Sequence, residues 1–515
     1  MKNYLILSFI AVLVLAAGCK KQLEANRNPN YPVEIAPYLY MPPIISNMAL
    51  GVQFDARVVG KLTQNWSSTA ANDVWERHGY APGSDGGGDI WKAVYFLLGN
   101  NLGDMIRIAE EEQRWDIAGA GKVIRAWGWQ MATDYHGEIV LKEAFNANQK
   151  VFAYDSQEAV YAEVMRLCEE GIALLQRTDG SVSQTYMAKG DMLYQGDRSK
   201  WIKFAYGLMA LNRLHLSNKA GYDAAKVVEY IDKSFTSNAD DALVPFTGSN
   251  TADGNYFGPR RAIITAFRQS EYLVSLMNGT VITGVADPRM SRMLVPSPDG
   301  TYNGVPTGRG QGAIAVAAKR PVTVWNTAGA PPVNTVGRFL FHDNAKFPLM
   351  TYAQLQFAKA EAALSSDPAA SLRAYKNGVL AHMEFVDKAN ADIQAPGVTP
   401  ISQAEKDTYM ASAAIPATPG ELTVSRILLQ KFIAQYGWGF LEAWCDIRRY
   451  HYDPDMLNGF TPLDRTKLYP DNNGAYGQRY RPRYNSEYIW NVEALDKIGG
   501  LNPDYHTYEM WFSKP

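Results

Sequence analysis

The chain has 515 residues, 47% hydrophobic and 20% charged, an ordinary globular balance with ample material for a core. A net charge of −2 and the lack of a basic stripe argue against nucleic acid as a main partner. The 12 Trp, 30 Tyr and 19 Phe supply a core and also suit stacking on flat, half-polar ligands.

Met1-Lys2-Asn3 is a short basic start, and residues 4–17 form an almost unbroken apolar run. The run is too short to span a bilayer and has the length of a signal-peptide core. It ends in Leu15-Ala16-Ala17-Gly18-Cys19, in the manner of a bacterial lipobox, with Leu15 one position further from the cysteine than is usual. Small residues let a peptidase reach the bond, and the thiol accepts a diacylglycerol. An ordinary secretory signal with an incidental cysteine is the alternative. The expected organisation is a signal peptide over 1–18, lipidation at Cys19, a polar tether over 19–30 and one domain over 31–515. Each buried methylene contributes about 0.8 kcal/mol, so two or three acyl chains give stable anchoring. No later run approaches the ~20 apolar residues of a membrane span, so the body is expected to hang from the membrane by its lipid.

Beyond the tether, Trp66, Asn72, Asp73, Trp75 and Tyr80 combine flat rings with amide and carboxylate groups ahead of the glycine-rich loop 81–88, APGSDGGG. A sugar presents apolar C–H faces and a ring of hydroxyls, so a binder needs an aromatic platform with polar groups at its edge. Glu110, Glu111 and Glu112 read as a solvated helix face.

Residues 117–135 place 117, 120, 121, 124, 128, 131 and 135 on one helical face. Gly121-Lys122 imitates the end of a phosphate-binding loop, but the early-glycine position holds Asp116 and the hydroxyl position holds Val123. The segment therefore reads as a packing helix. Gly119, Gly121 and Gly128 each cost up to ~1 kcal/mol against Ala there, which a helix tolerates when a neighbour must come close. Ser156 caps the next helix, whose stripe runs through Val160, Val164, Leu167, Cys168, Gly171, Ile172 and Leu175. Further helices are expected over 201–216, 351–364, 369–386 and 424–450. Loops 247–259, 297–312, 326–337 and 387–420 are too long to be simple connectors, and Tyr256, Tyr302 and Trp325 lie in or beside them.

No HExxH, GxSxG, complete P-loop or GxGxxG after a strand is present, and the seven histidines lack metal-ligand spacing. No catalytic residue, metal or cofactor is expected. Cys168 and Cys445 read as small buried hydrophobes, with a single disulfide left open. Asp471-Asn472-Asn473-Gly474 reads as a turn.

Six ordered motifs carry a family resemblance. They are 119–139 (GAGKVIRAWGWQMATDYHGEI), the 156–175 helix ending in Leu-Leu, 191–211 (DMLYQGDRSKWIKFAYGLMAL), 352–363 (YAQLQFAKAEAA), 430–449 with its Glu-Ala-Trp-x-Asp-x-Arg-Arg, and the close at Arg483-Tyr484-Asn485-Ser486-Glu487 with Trp511-Phe512. Behind a lipobox, this set resembles the SusD/RagB family of outer-membrane lipoproteins that capture nutrients. At the close the family usually has Tyr-Pro, where this chain has Tyr484-Asn485.

The resemblance implies a mostly α fold, a SusD-like helical scaffold with tetratricopeptide-like helix pairs and a long-loop ligand-binding region with minor β. It implies a lipid-anchored, surface-exposed position on the outer membrane and a SusC-like TonB-dependent transporter as partner. The ligand it implies is a nutrient, most often a glycan. Arg125, Arg448 and Arg449 belong to its scaffold motifs and are expected to hold helices through carboxylate or carbonyl contacts. The candidate ligand residues Trp66, Asn72, Asp73, Trp75, Tyr80, Tyr256, Tyr302 and Trp325 come from this chain's own loops. The competing functions are a lipid-anchored helical glycoside hydrolase, which needs two convergent carboxylates, and a peptide-binding or protein-interaction scaffold.

Overall fold

The computed structural model describes residues 35–515. The expected signal peptide, Cys19 and the 19–30 tether lie outside the described residues. The longer helices are α1 (Met41–Leu62), α2 (Asn100–Glu111), α3 (Trp115–His136), α4 (Gln157–Leu175) and α5 (Arg198–His215). They continue with α6 (Ala224–Asp232), α7 (Tyr352–Ala363), α8 (Pro368–Asp392), α9 (Val424–Ala434) and α10 (Phe440–Arg449). The fold is mostly helical with minor β, as expected. β1 (Trp66–Ser68) pairs antiparallel with β3 (Phe267–Gln269), and β2 (Ala242–Val244) with β4 (Phe347–Met350).

Local chemistry explains where many of these helices start. Side-chain oxygens of Ser156, Asp197, Asp223, Thr351, Asp367 and Thr423 each accept from a backbone N–H in the first turn of the helix that follows. Pro368 sits in the first turn of α8, where a missing N–H costs nothing. Successive helices then pack in series: α2 on α3, α3 on α4, α4 on α5, α5 on α6, α6 on α7 and α7 on α8. Glycines on both helices let α3 and α4 come close. A Cβ on Gly119 would stand 2.8 Å from the Gly171 carbonyl oxygen, and one on Gly171 would stand 2.7 Å from Val123 Cγ2. Gly121 serves α2 in the same way, with Ile106 Cγ1 at 2.6 Å from its would-be Cβ. Gly128 differs from expectation: its nearest neighbour would be 3.7 Å away, an ordinary contact that alanine could make.

Lys122 forms ion pairs with Glu110 at 3.3 Å and Glu170 at 3.1 Å, so it bridges α2 and α4 from the scaffold helix. Glu110, Glu111 and Glu112 are exposed. Both described cysteines, Cys168 and Cys445, are free and buried, and burial pushes their thiols up. The turn at Asp471 is a short 3-10 segment, Pro470–Asn472, closed by Asn473 in the left-handed region at φ 50°.

Three elements depart from the sequence reading. The expected helix over 424–450 is two helices, α9 and α10, because Gly437 adopts φ +83° and turns the chain between them. The expected loop 387–420 begins inside α8 and contains a short helix, Gln403–Met410, opened by a Ser402–Glu405 capping box. α1 was not expected at all. It buries Gln53, Asp55 and Lys61 beside its apolar residues. Each has a partner: Asn255 at 2.6 Å, the Ile90 amide at 2.7 Å and Asp73 at 2.7 Å. These paired polar groups share the buried face with Ile44, Ile45, Met48, Val58 and Val59.

The helix ends meet at a buried ionic network. Asp446 accepts from Lys431 at 2.8 Å and Arg449 at 2.6 Å, and Arg449 also reaches Glu361 at 2.8 Å. Arg448 donates to the carbonyls of Asp134 and Gln478, both at 2.8 Å. Arg125 donates to the Gly99 carbonyl at 3.3 Å. His215 lies between Asp134 at 3.3 Å and Glu442 at 3.2 Å. Burial disfavours its imidazolium, but the Glu442 and Asp134 carboxylates outweigh that and push its pKa up to about 9.

Candidate functional site

The glycine-rich loop 81–88 closes against a C-terminal segment. Gly87 adopts φ +84°, and a Cβ there would stand 2.2 Å from Tyr480 Cε1, so only glycine lets the loop seat on that ring. Tyr480 donates its hydroxyl hydrogen to the Gly86 carbonyl and stacks on Tyr135 of α3 at 5.3 Å and 6° between planes. The loop is thereby fixed to the helical scaffold. Between loop and segment lies a cleft of about 180 Å³.

Aromatic rings and charges line this cleft. Tyr484 and Tyr488 are four residues apart in the short helix Tyr484–Trp490, so their rings share a face and stack at 5.6 Å and 16°. Tyr80 faces the same cleft, with the Arg481 guanidinium 3.9 Å from its ring centroid. Arg481 itself is buried and consumed. It donates to the Gly500, Asn502 and Pro503 carbonyls at 3.0, 2.7 and 2.6 Å and to the Tyr488 hydroxyl at 3.0 Å. It therefore positions Tyr80 and Tyr488. Arg483 and Asp85 form an ion pair at the rim, and Asp85 also accepts from the Asn485 amide and side chain at 2.9 and 2.7 Å. Tyr80, Tyr484 and Tyr488 are half-buried, and Ser84 and Asn485 are exposed. Burial holds the Tyr80 and Tyr488 phenols above their usual range, with Arg481 pulling each the other way. Both phenols are neutral at pH 7 and can donate and accept.

Arg483 also borders a second hollow of about 520 Å³, walled by Trp91, Tyr95, Phe96, Phe145 and Phe152. Phe96 lies on a π-helical turn, Ala93–Gly99, and is 73% exposed. Trp490, at the end of the short helix, is 75% exposed. The two hollows give a polar pocket and an aromatic wall on either side of one arginine.

The residues expected from sequence separate into groups. Tyr80 lines the cleft, and Trp75 is half-buried at its edge, 6.0 Å from the Tyr480 ring and touching the Gly86 position. Trp66 and Trp325 are 1% exposed and belong to the core, which corrects their reading as ligand platforms. Trp66 packs on Phe257, Phe267 and Phe440, and Trp325 donates its indole hydrogen to the Phe257 carbonyl at 3.0 Å. A ring with no open face cannot stack on a ligand. Asp73 is spent on folding: it accepts from Lys61 at 2.7 Å and from the Trp75 amide at 2.9 Å. Asn72 is exposed at φ 57° and abuts Gly308, while Tyr256 packs on Phe54 beneath Arg261. Tyr302 is half-buried in its own loop. None of these four lines the cleft.

Sequence reasoning missed Tyr484, Tyr488, Arg483 and Asp85. The i, i+4 spacing of the two tyrosines was the available signal. Among the described residues, one group, Asp134, His215 and Cys445, brings potential metal donors close together. Its Asp134 oxygens already take hydrogens from Tyr161 and from Gln130, at 2.7 Å for the latter, so it reads as part of the buried ionic network.

No curated protein matches the chain. Among solved structures, it is similar to a SusD/RagB family protein from Bacteroides thetaiotaomicron at 21% identity and TM-score 0.71, covering 93% of this chain and 99% of that one. A SusD homologue from Bacteroides fragilis aligns at 17% identity and TM-score 0.71, covering 93% and 100%. A chitin-binding SusD homologue from Flavobacterium johnsoniae aligns at 20% identity and TM-score 0.68, covering 93% and 98%. These likenesses show the fold. Residues 29–472 match the SusD-like family described as starch-binding and associating with the outer membrane. With that match over most of its length, the chain belongs to the SusD-like family, whose members are binding proteins and not enzymes.

Proposed function

We propose that the cleft between 81–88 and 480–488 captures an oligosaccharide and that the protein passes it to a SusC-like TonB-dependent transporter. The observation that carries the reading is the stacked Tyr484–Tyr488 pair facing Tyr80, with the Arg483–Asp85 pair and Ser84 at its rim. Such rings accept the apolar faces of sugar units, and the rim groups meet the hydroxyls. The aromatic hollow beyond Arg483 offers room for a longer chain to continue. A chitin-binding relative of the same fold supports a glycan as the ligand. Lipidation at Cys19 would hold the 31–515 body at the cell surface through the 19–30 tether, and a tethered binder raises ligand concentration at the transporter mouth. Among the described residues Asp85 is the only carboxylate lining the cleft, and it is paired with Arg483. Glu487 of the hollow already accepts from Tyr154 and Asn491, so neither is placed as a free member of a glycosidase acid pair.

Affinity electrophoresis of the protein lacking its lipid, against a panel of polysaccharides, tests the capture step. We expect at least one polysaccharide to retard the protein without release of reducing ends, and a Tyr484→Ala/Tyr488→Ala variant to lose the retardation. Retardation that survives in that variant removes the cleft as the site. If no glycan retards the protein, a peptide ligand takes its place. Cys19→Ala should move the protein out of the membrane fraction, and the transporter should co-purify only with the anchored form.

A further inference from the structure

A separate polar cavity of about 300 Å³ opens at the N-terminus of α9, and none of its lining residues belongs to the cleft or the aromatic hollow. Its polar lining comes from Thr423, the cap of α9, Ser425 and Arg426 of α9, Tyr375 of α8, and Thr283 and Asn458 from loops. Among the described residues, no aspartate or glutamate lines it.

Several of the polar groups here are donors with spare hydrogens. α9 is 11 residues long, and the Thr423 hydroxyl oxygen caps it by accepting from the Arg426 amide at 3.2 Å. The Val424 and Ser425 amides have no acceptor among the described residues. Arg426 donates one hydrogen bond, to the Ala413 carbonyl at 3.3 Å, and no carboxylate among the described residues stands within ion-pair distance of it. Tyr375 supplies the second, independent observation. It is 1% exposed, lines the cavity, and its hydroxyl has no hydrogen-bond partner among the described residues. The ring is buried while the hydroxyl opens into the cavity, where a ligand can take its hydrogen. Burial keeps that phenol protonated, and the Arg426 charge acts on it from nearby. Ile282 and Leu429 add an apolar side to the same cavity.

A guanidinium fork, free first-turn amides and a buried hydroxyl are together complementary to a negatively charged oxygen cluster. We propose that this cavity binds an oxyanion (a carboxylate, sulfate or phosphate), with Arg426 and the first-turn amides of α9 holding the oxygens and Tyr375 donating from below. The anion is either free in solution or carried on an acidic saccharide whose ring rests on Ile282 and Leu429. This site does not depend on the cleft being a glycan site, and each can fail without the other.

The test is isothermal titration of the protein with sulfate, phosphate, glucuronate and neutral glucose at matched ionic strength in chloride. At least one oxyanion should bind saturably, and glucose should not bind at this site. Arg426→Gln should weaken the binding by at least about tenfold, the scale of one charge-assisted hydrogen bond. Tyr375→Phe should weaken it by a smaller factor while leaving the unliganded melting temperature unchanged, since no protein hydrogen bond is lost. Glucuronate binding more tightly than sulfate and phosphate identifies the acidic saccharide as the source; the reverse order identifies the free anion. Absence of binding by all three anions, or equal affinity in wild type and Arg426→Gln, overturns the proposal.

Discussion

The ionic network at the helix ends and the cleft at 480–488 are built from the same residue types, Arg, Asp and Tyr, yet are suited to different ends. In the network, Arg449 is shared between Asp446 and Glu361, and all three side chains are buried. In the cleft, Arg483 has one carboxylate partner, and the Tyr80, Tyr484 and Tyr488 rings are half-buried. A buried arginine shared between two carboxylates fixes helices. A partly paired one beside open rings can bind. Residue type is therefore a weaker guide to role than the number of partners already taken.

The sharpest way to break this comparison is Arg449→Ala. It leaves Glu361 buried without its cation and Asp446 with Lys431 alone, and urea unfolding should show a loss of about 3–5 kcal/mol. His215→Gln comes next. The folded pKa of about 9 lies above the unfolded value near 6.5. The contribution of the charged ring is thus fully present below about pH 6.5 and is lost as pH rises through 9. Urea titrations of wild type and variant should differ most in acid and converge by about 3 kcal/mol toward pH 9. A gap that widens with pH would show that the ring is neutral.

Gly119→Val probes the close approach of α3 to α4. Its side chain meets the Gly171 carbonyl, and the melting curve should report about 1–3 kcal/mol of overpacking. On the cleft side, Tyr484→Ala should leave stability within about 1 kcal/mol, as for a partly exposed ring outside the core. It should weaken glycan binding about tenfold, near 1.4 kcal/mol. A large fall in stability instead would make Tyr484 a scaffold residue. The smallest effect is expected from nucleotide. Lys122 is occupied by Glu110 and Glu170, so ATP should not raise the melting temperature.

Much of the helical scaffold was legible. Ser156, Thr351 and Thr423 cap helices through contacts three residues away, and the α4 stripe needs only its own sequence to be seen. Family motifs led to the same helices, and Arg448 and Arg449 hold them as expected. Half of the candidate site was legible too: Tyr80 and the loop 81–88 stood out because glycine and aromatic residues cluster there. The other half was not. Tyr484 lies about 400 positions away from Tyr80 along the chain, and its sequence surroundings mark it only as part of a closing motif. Trp66 and Trp325 looked like Trp75 in sequence, and only their neighbours, Phe257 above all, put them in the core.

By itself the sequence determined the helix caps, the apolar stripes, the close approach at Gly119 and the family, because these depend on contacts or patterns within a few turns of chain. The tertiary structure alone decided which rings keep an open face, which arginines are buried against several partners, and which distant segments meet across a cleft. Those properties depend on what long-range packing leaves uncovered.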